Sequence, residues 1–401
     1  MKKSSRAGLF GIIALAVLAL SLAACGGGDE GDGSKCTSGG LGTSSSEPYI
    51  ICTAQDLAAL ANEVNSGDDK SGVYYKLADN IDLSVLSLPA EGWTPIGYDE
   101  HKPFRGNFDG GGKTVSNLAI NNTLDHTGLF GVIESGSIEN LGVKIAVSGI
   151  TGQYDVGGVA GYVGSSSVSN CYVTGNVNGE SSIGGVAGSV SNNSSISNCY
   201  TTGDINGTRR IGGIAGGVYD STISNCYATG DVSGTNFYIG GIAGWVSDST
   251  ISNCYATGKI TGDEDVGGIA GNYSSLSITI ENCAALNSSI VRASGSTSTT
   301  FGRVVGDNSG GSTLTNNFGL NGMEVAGTPV TGGSGIDGDD ISIADAKDQD
   351  SYDGTSSILG WDFTGVAPAP PIWKWGGTSY PLPILYWQTT APTLPAGHPL
   401  L

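Results

Sequence analysis

The chain has 401 residues, 67 of them Gly, with 13% charged residues and a formal net charge of −20. Phosphate recognition needs clustered Lys and Arg, so this acidic balance excludes a nucleic-acid-binding role. An apolar share of 38%, with no strict Gly-X-Y run, excludes a collagen-like or wholly low-complexity chain.

Residues 1–24 read as an export signal. Lys2, Lys3 and Arg6 form a charged head, Leu9 to Leu20 an apolar stretch, and small residues precede Cys25. The segment is short for a spanning helix. Leu22-Ala23-Ala24-Cys25 resembles the bacterial lipobox, which makes Cys25 the expected lipidation site. More than one acyl chain gives stable anchoring, so the expected partner of the N-terminus is a membrane. Residues 25–47 are rich in Gly, Ser and acids and read as a flexible tether.

Residues 48–90 read as an N-terminal cap. Thr53-Ala-Gln-Asp56 resembles a capping box, and Leu57, Leu60, Ala61 and Val64 follow at helical spacing before Gly67. Tyr74 to Leu83 reads as extended. Cys36 and Cys52 form a candidate disulfide, because an exported chain meets an oxidising compartment.

From residue 91 to 320 the chain repeats. Ile/Val-Gly-Gly-Val/Ile-Ala-Gly starts at Val156, Ile183, Ile211, Ile239 and Val266, a period of 27 to 28 residues. Each copy is followed by Ile/Val-x-Asn-Cys, at Cys171, Cys199, Cys226, Cys254 and Cys283. Weaker rungs flank these, giving about eight turns. Short β-branched runs without a helix period, repeated at this spacing, predict an all-β parallel β-solenoid with capped ends. The Gly-Gly and Ala-Gly steps are expected where chains pack closely or turn with positive φ.

Comparison of coils assigns columns. The Cys column also takes in Leu118, Leu141 and Phe318, which marks it as interior and its thiols as small apolar fillers. The preceding residues, Asn117, Asn140, Asn170, Asn198, Asn225, Asn253, Asn282 and Asn317, read as a structural Asn ladder at a turn, since amides can both donate and accept. Tyr172, Tyr200, Tyr227 and Tyr255 fall on the opposite parity and are expected to face outward. That stripe has three readings: a glycan-binding face, ring stacking that stiffens the sheet, or a surface covered by another segment.

Residues 321–401 read as a C-terminal cap region. The acidic stretch from Gly332 to Gly354 lacks the Gly and final Glu of an EF-hand loop, and a solvated loop is favoured over a calcium site. Trp361, Trp373, Trp375 and Trp387 then cluster with Pro residues.

The Asn-Cys-Tyr repeats, Gly128-Leu129-Phe130-Gly131, Trp93-Thr-Pro-Ile-Gly97, Phe104-Arg-Gly-Asn-Phe-Asp-Gly110, Leu359-Gly-Trp-Asp-Phe363 and Tyr380-Pro-Leu-Pro383 resemble the GLUG-motif repeat family of bacterial surface proteins. The resemblance implies a right-handed β-helix and an adhesin-like role at the cell surface. Some members of that family are attached to zinc peptidases, but this chain lacks His-Glu-x-x-His, so peptidase activity is not carried over. Neither a cofactor nor a metal site is expected. The expected function is a non-catalytic, membrane-anchored lipoprotein of the cell envelope, outer membrane or cell surface, that binds a glycan or a cell-surface protein. The alternatives are a β-helix polysaccharide lyase or glycosidase, which would need a carboxylate pair or a base with a cationic partner, and a structural envelope protein without a small ligand.

Overall fold

The computed structural model describes residues 40–273, 277–309, 311, 313–333, 335–353, 359–364, 370–395 and 397–401. Within them the chain winds into a parallel β-solenoid of about nine turns. Three sheets run its length, of 25, 6 and 6 strands, and a separate two-stranded sheet lies in the C-terminal region. Each coil pairs with the next in register: Ile183 with Ile211, Ile211 with Ile239, Ile239 with Val266. Parallel strands stack about 4.8 Å apart, so a column of equivalent residues forms a line of contacts along the axis.

The extra turn relative to the sequence expectation comes from the N-terminal region. Tyr49–Ile51 pairs with Tyr74–Leu77, which pairs with the strand Asn107–Asn121. Those segments are rungs of the long sheet as well as a cap. Between them lies helix α1 (Ala54–Asn65), and its capping box forms as read, with Thr53 and Asp56 bonding each other's backbone. Leu57, Leu60, Ala61 and Val64 are buried, which closes the interior at that end. The tether is shorter than expected. Gly42 accepts from the Tyr74 amide at 3.0 Å and donates to Glu47 O at 2.8 Å, so residues 40–47 fold against the first coil. Cys25 and Cys36 lie outside the described residues.

The Gly-Gly and Ala-Gly steps of the repeats serve close approach rather than positive φ. A Cβ at Gly213 would lie 2.2 Å from Gly241 O, and one at Gly241 would lie 2.1 Å from Gly268 O. Positive φ is instead carried by residues with side chains, at three points of each coil. One point holds Asn170, Asn198, Asn225 and Asn253; a second holds Ser165, Asp220 and Asp248; a third holds His126, Asp155, Ser182, Arg210, Tyr238 and Asp265. Asn, Asp and His tolerate this region best among residues with side chains, and at the third point Ser182, Arg210 and Tyr238 depart from that preference.

The far end is closed around Arg303, which is fully buried. Its guanidinium donates to Asp340 at 2.6 Å and to the carbonyls of Gly319 and Gly338, and its amide donates to Asp337. The acidic segment therefore spends Asp337 and Asp340 on one buried cation, while Asp345 caps a short helix through Ser342.

Candidate functional site

The Asn ladder exists, with different ends and with a gap after Asn198, whose Oδ1 is buried without a hydrogen-bond partner. Asn140 donates to Asp109 at 2.9 Å, Asn170 to Asn140 at 3.0 Å, Asn198 to Asn170 at 3.2 Å, Asn253 to Asn225 at 3.2 Å and Asn316 to Asn282 at 2.7 Å. Asp109 and Asn316 replace Asn117 and Asn317 as the outer rungs. A register shift between Asp109 and Lys113 moves Asn117 off the column, where it bonds Asp82 at 2.7 Å. At the other end the sequence offers two adjacent Asn, and the positive φ belongs to Asn316. Asn317 instead enters the Cys column, accepting from the Cys283 amide at 3.0 Å. Phe318 pairs with Ala284 and so belongs to the Tyr column, not the Cys column.

The thiols of Cys171, Cys199, Cys226, Cys254 and Cys283 are free and buried. Each of the first three amides donates to the next thiol at 3.4 Å, and each thiol donates to the carbonyl two residues back. Burial pushes the first four thiols well above the usual range, which makes them poor nucleophiles and poor metal ligands. A second column escaped sequence reading. Ser166, Ser194, Ser221 and Ser249 each accept the amide of the preceding coil, at 3.0 to 3.1 Å. The signal was present: a Ser lies five residues before each of four cysteines.

The Tyr column is covered, not bare. Tyr200, Tyr227 and Tyr255 are buried, and Tyr172 is half-buried. Their rings stack at 5.2, 5.0 and 4.9 Å within 8° of parallel. The C-terminal region runs back along this flank as a strap. Trp361 and Trp373 lie over Tyr255, Trp373 over Tyr227, and Trp387 over Tyr200 and Tyr172. Polar anchors fix it: Tyr227 donates to Gln388 at 2.6 Å, Tyr255 to Pro383 O at 2.6 Å, and Trp361 Nε1 to Asn282 O at 3.0 Å. Residues past 360 thus bind the side of the solenoid, which the reading of a terminal cap did not foresee.

The strap leaves one end of the column open. There a cleft of about 780 Å³ is lined by Tyr172, Trp387, Lys76, Asp109, Asn140, Lys144, Thr174 and Thr202, among others. Gly142 shapes its floor. It pairs with Tyr172, and a Cβ there would lie 2.4 Å from the ring, so the ring settles against bare backbone. Thr114 Oγ1 and the Tyr172 hydroxyl are 3.0 Å apart. On the rim Lys76 and Asp109 form an ion pair at 2.8 Å. Burial raises the Asp109 carboxyl, but the Lys76 and Asn140 bonds and the Gly111 amide outweigh it and hold it below the usual range. Glu139, its neighbour in register, is raised by burial and by the Asp109 charge, and it faces a separate small groove.

A stacked parallel solenoid with an aromatic strap and a side cleft is the class that fold and geometry define. Four of the coils match the family model of the GLUG motif, at residues 152–178, 179–206, 207–233 and 235–261. The chain is 34% identical over 155 residues to Halomucin of Haloquadratum walsbyi and 35% identical over 151 residues to a candidate Gly-rich membrane protein of Evansella cellulosilytica. These matches cover 36% and 37% of this chain, and they span only 2% and 16% of those two proteins. The crystal structure of a candidate immunoglobulin A1 protease from Bacteroides ovatus matches with a TM-score of 0.58 at 24% identity, over 88% of this chain and 95% of that one. That likeness is one of fold.

Proposed function

We propose that this GLUG-repeat solenoid is a non-catalytic lipoprotein of the cell envelope, anchored through Cys25, that binds an oligosaccharide in the cleft beside Tyr172. The observation that carries the reading is the half-buried pair Tyr172 and Trp387 at the open end of an otherwise sealed aromatic column. Planar apolar faces bordered by a few polar groups are what a sugar ring needs, and the volume lies within the ordinary range of ligand pockets. The names of the relatives, a membrane protein among them, support an envelope location. Non-catalytic action is supported by the carboxylates: Asp109 alone lines the cleft, short of the pair that hydrolysis needs, and its bonds to Lys76 and Asn140 lower its carboxyl pKa and make it a weak base for a lyase. A Cys36–Cys52 disulfide, proposed as well, would tie the tether to the start of α1; non-reducing peptide mapping that finds both thiols free removes it.

A glycan array probed with the full chain tests the cleft. Binding that disappears in Tyr172→Ala and in the rim variant Thr174→Trp, with melting temperature retained, supports it. Equal binding by both variants, or no binding to any glycan, sinks it. Cleavage of the bound oligosaccharide would overturn the non-catalytic part and favour the lyase or glycosidase.

A further inference from the structure

Away from the strap, the third positive-φ point repeats one backbone conformation with changing side chains: His126, Asp155, Ser182, Arg210, Tyr238 and Asp265. Each is gripped by a Gly of the following coil. A Cβ at Gly216 or Gly244 would fall 2.3 or 2.4 Å from the backbone beside Ser182 or Arg210. Bulky residues such as Arg210 and Tyr238 gain nothing from a left-handed conformation, so something other than local geometry accounts for them.

Most of the column satisfies itself. His126 Nδ1 lies 3.2 Å from the Asp155 carboxylate, an ion-pair distance without hydrogen-bond alignment, Asp155 also accepts from Ser189, and Asp265 accepts from Asn272 at 2.6 Å. Arg210 does not. Its guanidinium carbon lies 5.4 Å from the centre of the Trp245 ring, and its Nε is buried without a hydrogen-bond partner. Tyr238 packs edge-on to Trp245 at 4.4 Å, and Phe237 to Tyr238 at 4.5 Å. All three rings are half-exposed. Arg209 beside them is exposed, and its Nε donates to Ser181 at 3.1 Å. Among the described residues neither arginine has an ion-pair partner, although the chain has 37 acids for 17 Lys and Arg. Tyr219, whose hydroxyl is raised by burial and lowered by the Arg210 charge, leans over Gly217 of the same coil.

We infer that Arg210, Tyr238 and Trp245 form a second binding site, specific for a carboxylated sugar. The guanidinium fork receives the carboxylate, bidentate and charge-assisted, and the pyranose ring lies on the exposed aromatic faces. The patch spans two adjacent coils, about 5 Å of axis. That is about the length of one sugar ring. The site is separate from the cleft and stands or falls independently of it.

The test is calorimetric titration of the full chain with trigalacturonate and with sialyllactose, which separate a uronate source from a sialate source, and with their carboxyl-reduced forms. At least one acidic probe should bind. Its carboxyl-reduced form, Arg210→Gln and Trp245→Ala should each weaken binding at least about tenfold, the effect of losing a charged hydrogen bond or a ring contact. Arg210→Lys should recover part of it, and repeating the titrations in a Tyr172→Ala background removes any binding in the cleft from the signal. Unchanged melting temperature for Arg210→Gln separates lost binding from lost folding. The site is overturned by silence of both acidic probes, by equal affinity for the reduced forms, by full affinity in Arg210→Gln, or by tighter binding of a poly-glutamate peptide than of either sugar.

Discussion

The flank under the strap and the corner at Arg210 are built on the same coils, yet they use repetition in opposite ways. Under the strap, Asn, Cys and Tyr recur at the same place in four successive coils, and most of them meet another part of the chain: a neighbouring Asn, the backbone amide of the preceding Cys, or a Trp of the strap. At the corner the backbone recurs and the side chains do not. Identity from coil to coil therefore marks packing, because a stacked column rewards the same residue above and below itself. A ligand then finds room where a repeated column ends uncovered, at Tyr172, or where the side chains change from coil to coil, at Arg210.

Removing the strap's central contact should show the largest effect. Trp373 is buried against Tyr227 and Tyr255, and Trp373→Ala should cost about 4 kcal/mol, in the range for a large core truncation. Limited proteolysis should then cut within residues 370–395 while the coils stay protected. Simultaneous loss of the coils would show that strap and solenoid fold as one unit and that the flank is not separable from the corner.

A smaller pair of changes contrasts the two columns directly. Asn225→Gly keeps the left-handed turn but removes the bond from Asn253, and should lower stability by about 1 kcal/mol. Ser182→Gly relieves a positive φ of 58° where no side-chain ladder is lost, and should raise stability by about 0.5 kcal/mol after the entropy cost of Gly. Denaturant titration of both variants checks the signs. A loss at Ser182 equal to that at Asn225 would erase the distinction between ladder and corner.

The smallest effect is in pH. His398, which anchors the end of the strap through Thr257 O at 3.1 Å, is lowered by burial, against raising backbone bonds. The unfolded chain takes up its proton first, so stability falls as pH drops through about 6.5 toward the lower folded value. His126 is lowered by burial but raised further by the Asp155 carboxylate and by nearby acids, for a net rise. Its contribution is present below about 6.5 and fades as pH climbs through the higher folded value. Hydrogen exchange between pH 5 and 8 should loosen the strap's end on the acid side and the His126 corner on the basic side. Identical trends at both places would contradict the assignment.

Much of this was legible in the residues alone. Spacing of 27 to 28 residues, β-branched runs and Gly pairs dictate stacked coils, because only that arrangement buries each repeat against its neighbours. The apolar Cys column and the Asn turn follow from comparing coils, and the capping box from Thr53 and Asp56. The ladder ends did not follow, since a register shift at Asp109 and the doubled Asn316-Asn317 change the alignment without changing the local pattern. Of the three readings of the Tyr stripe, ring stacking and cover by another segment both hold. Strand parity correctly placed it off the interior face, but whether that outer face meets water depends on a segment more than 100 residues away, Trp387 over Tyr200 for instance. Likewise nothing in the order Arg209-Arg210 and Phe237-Tyr238 announces a site. The coil period brings Arg210 beside Tyr238 and Trp245, and only stacking in three dimensions turns that period into a contact.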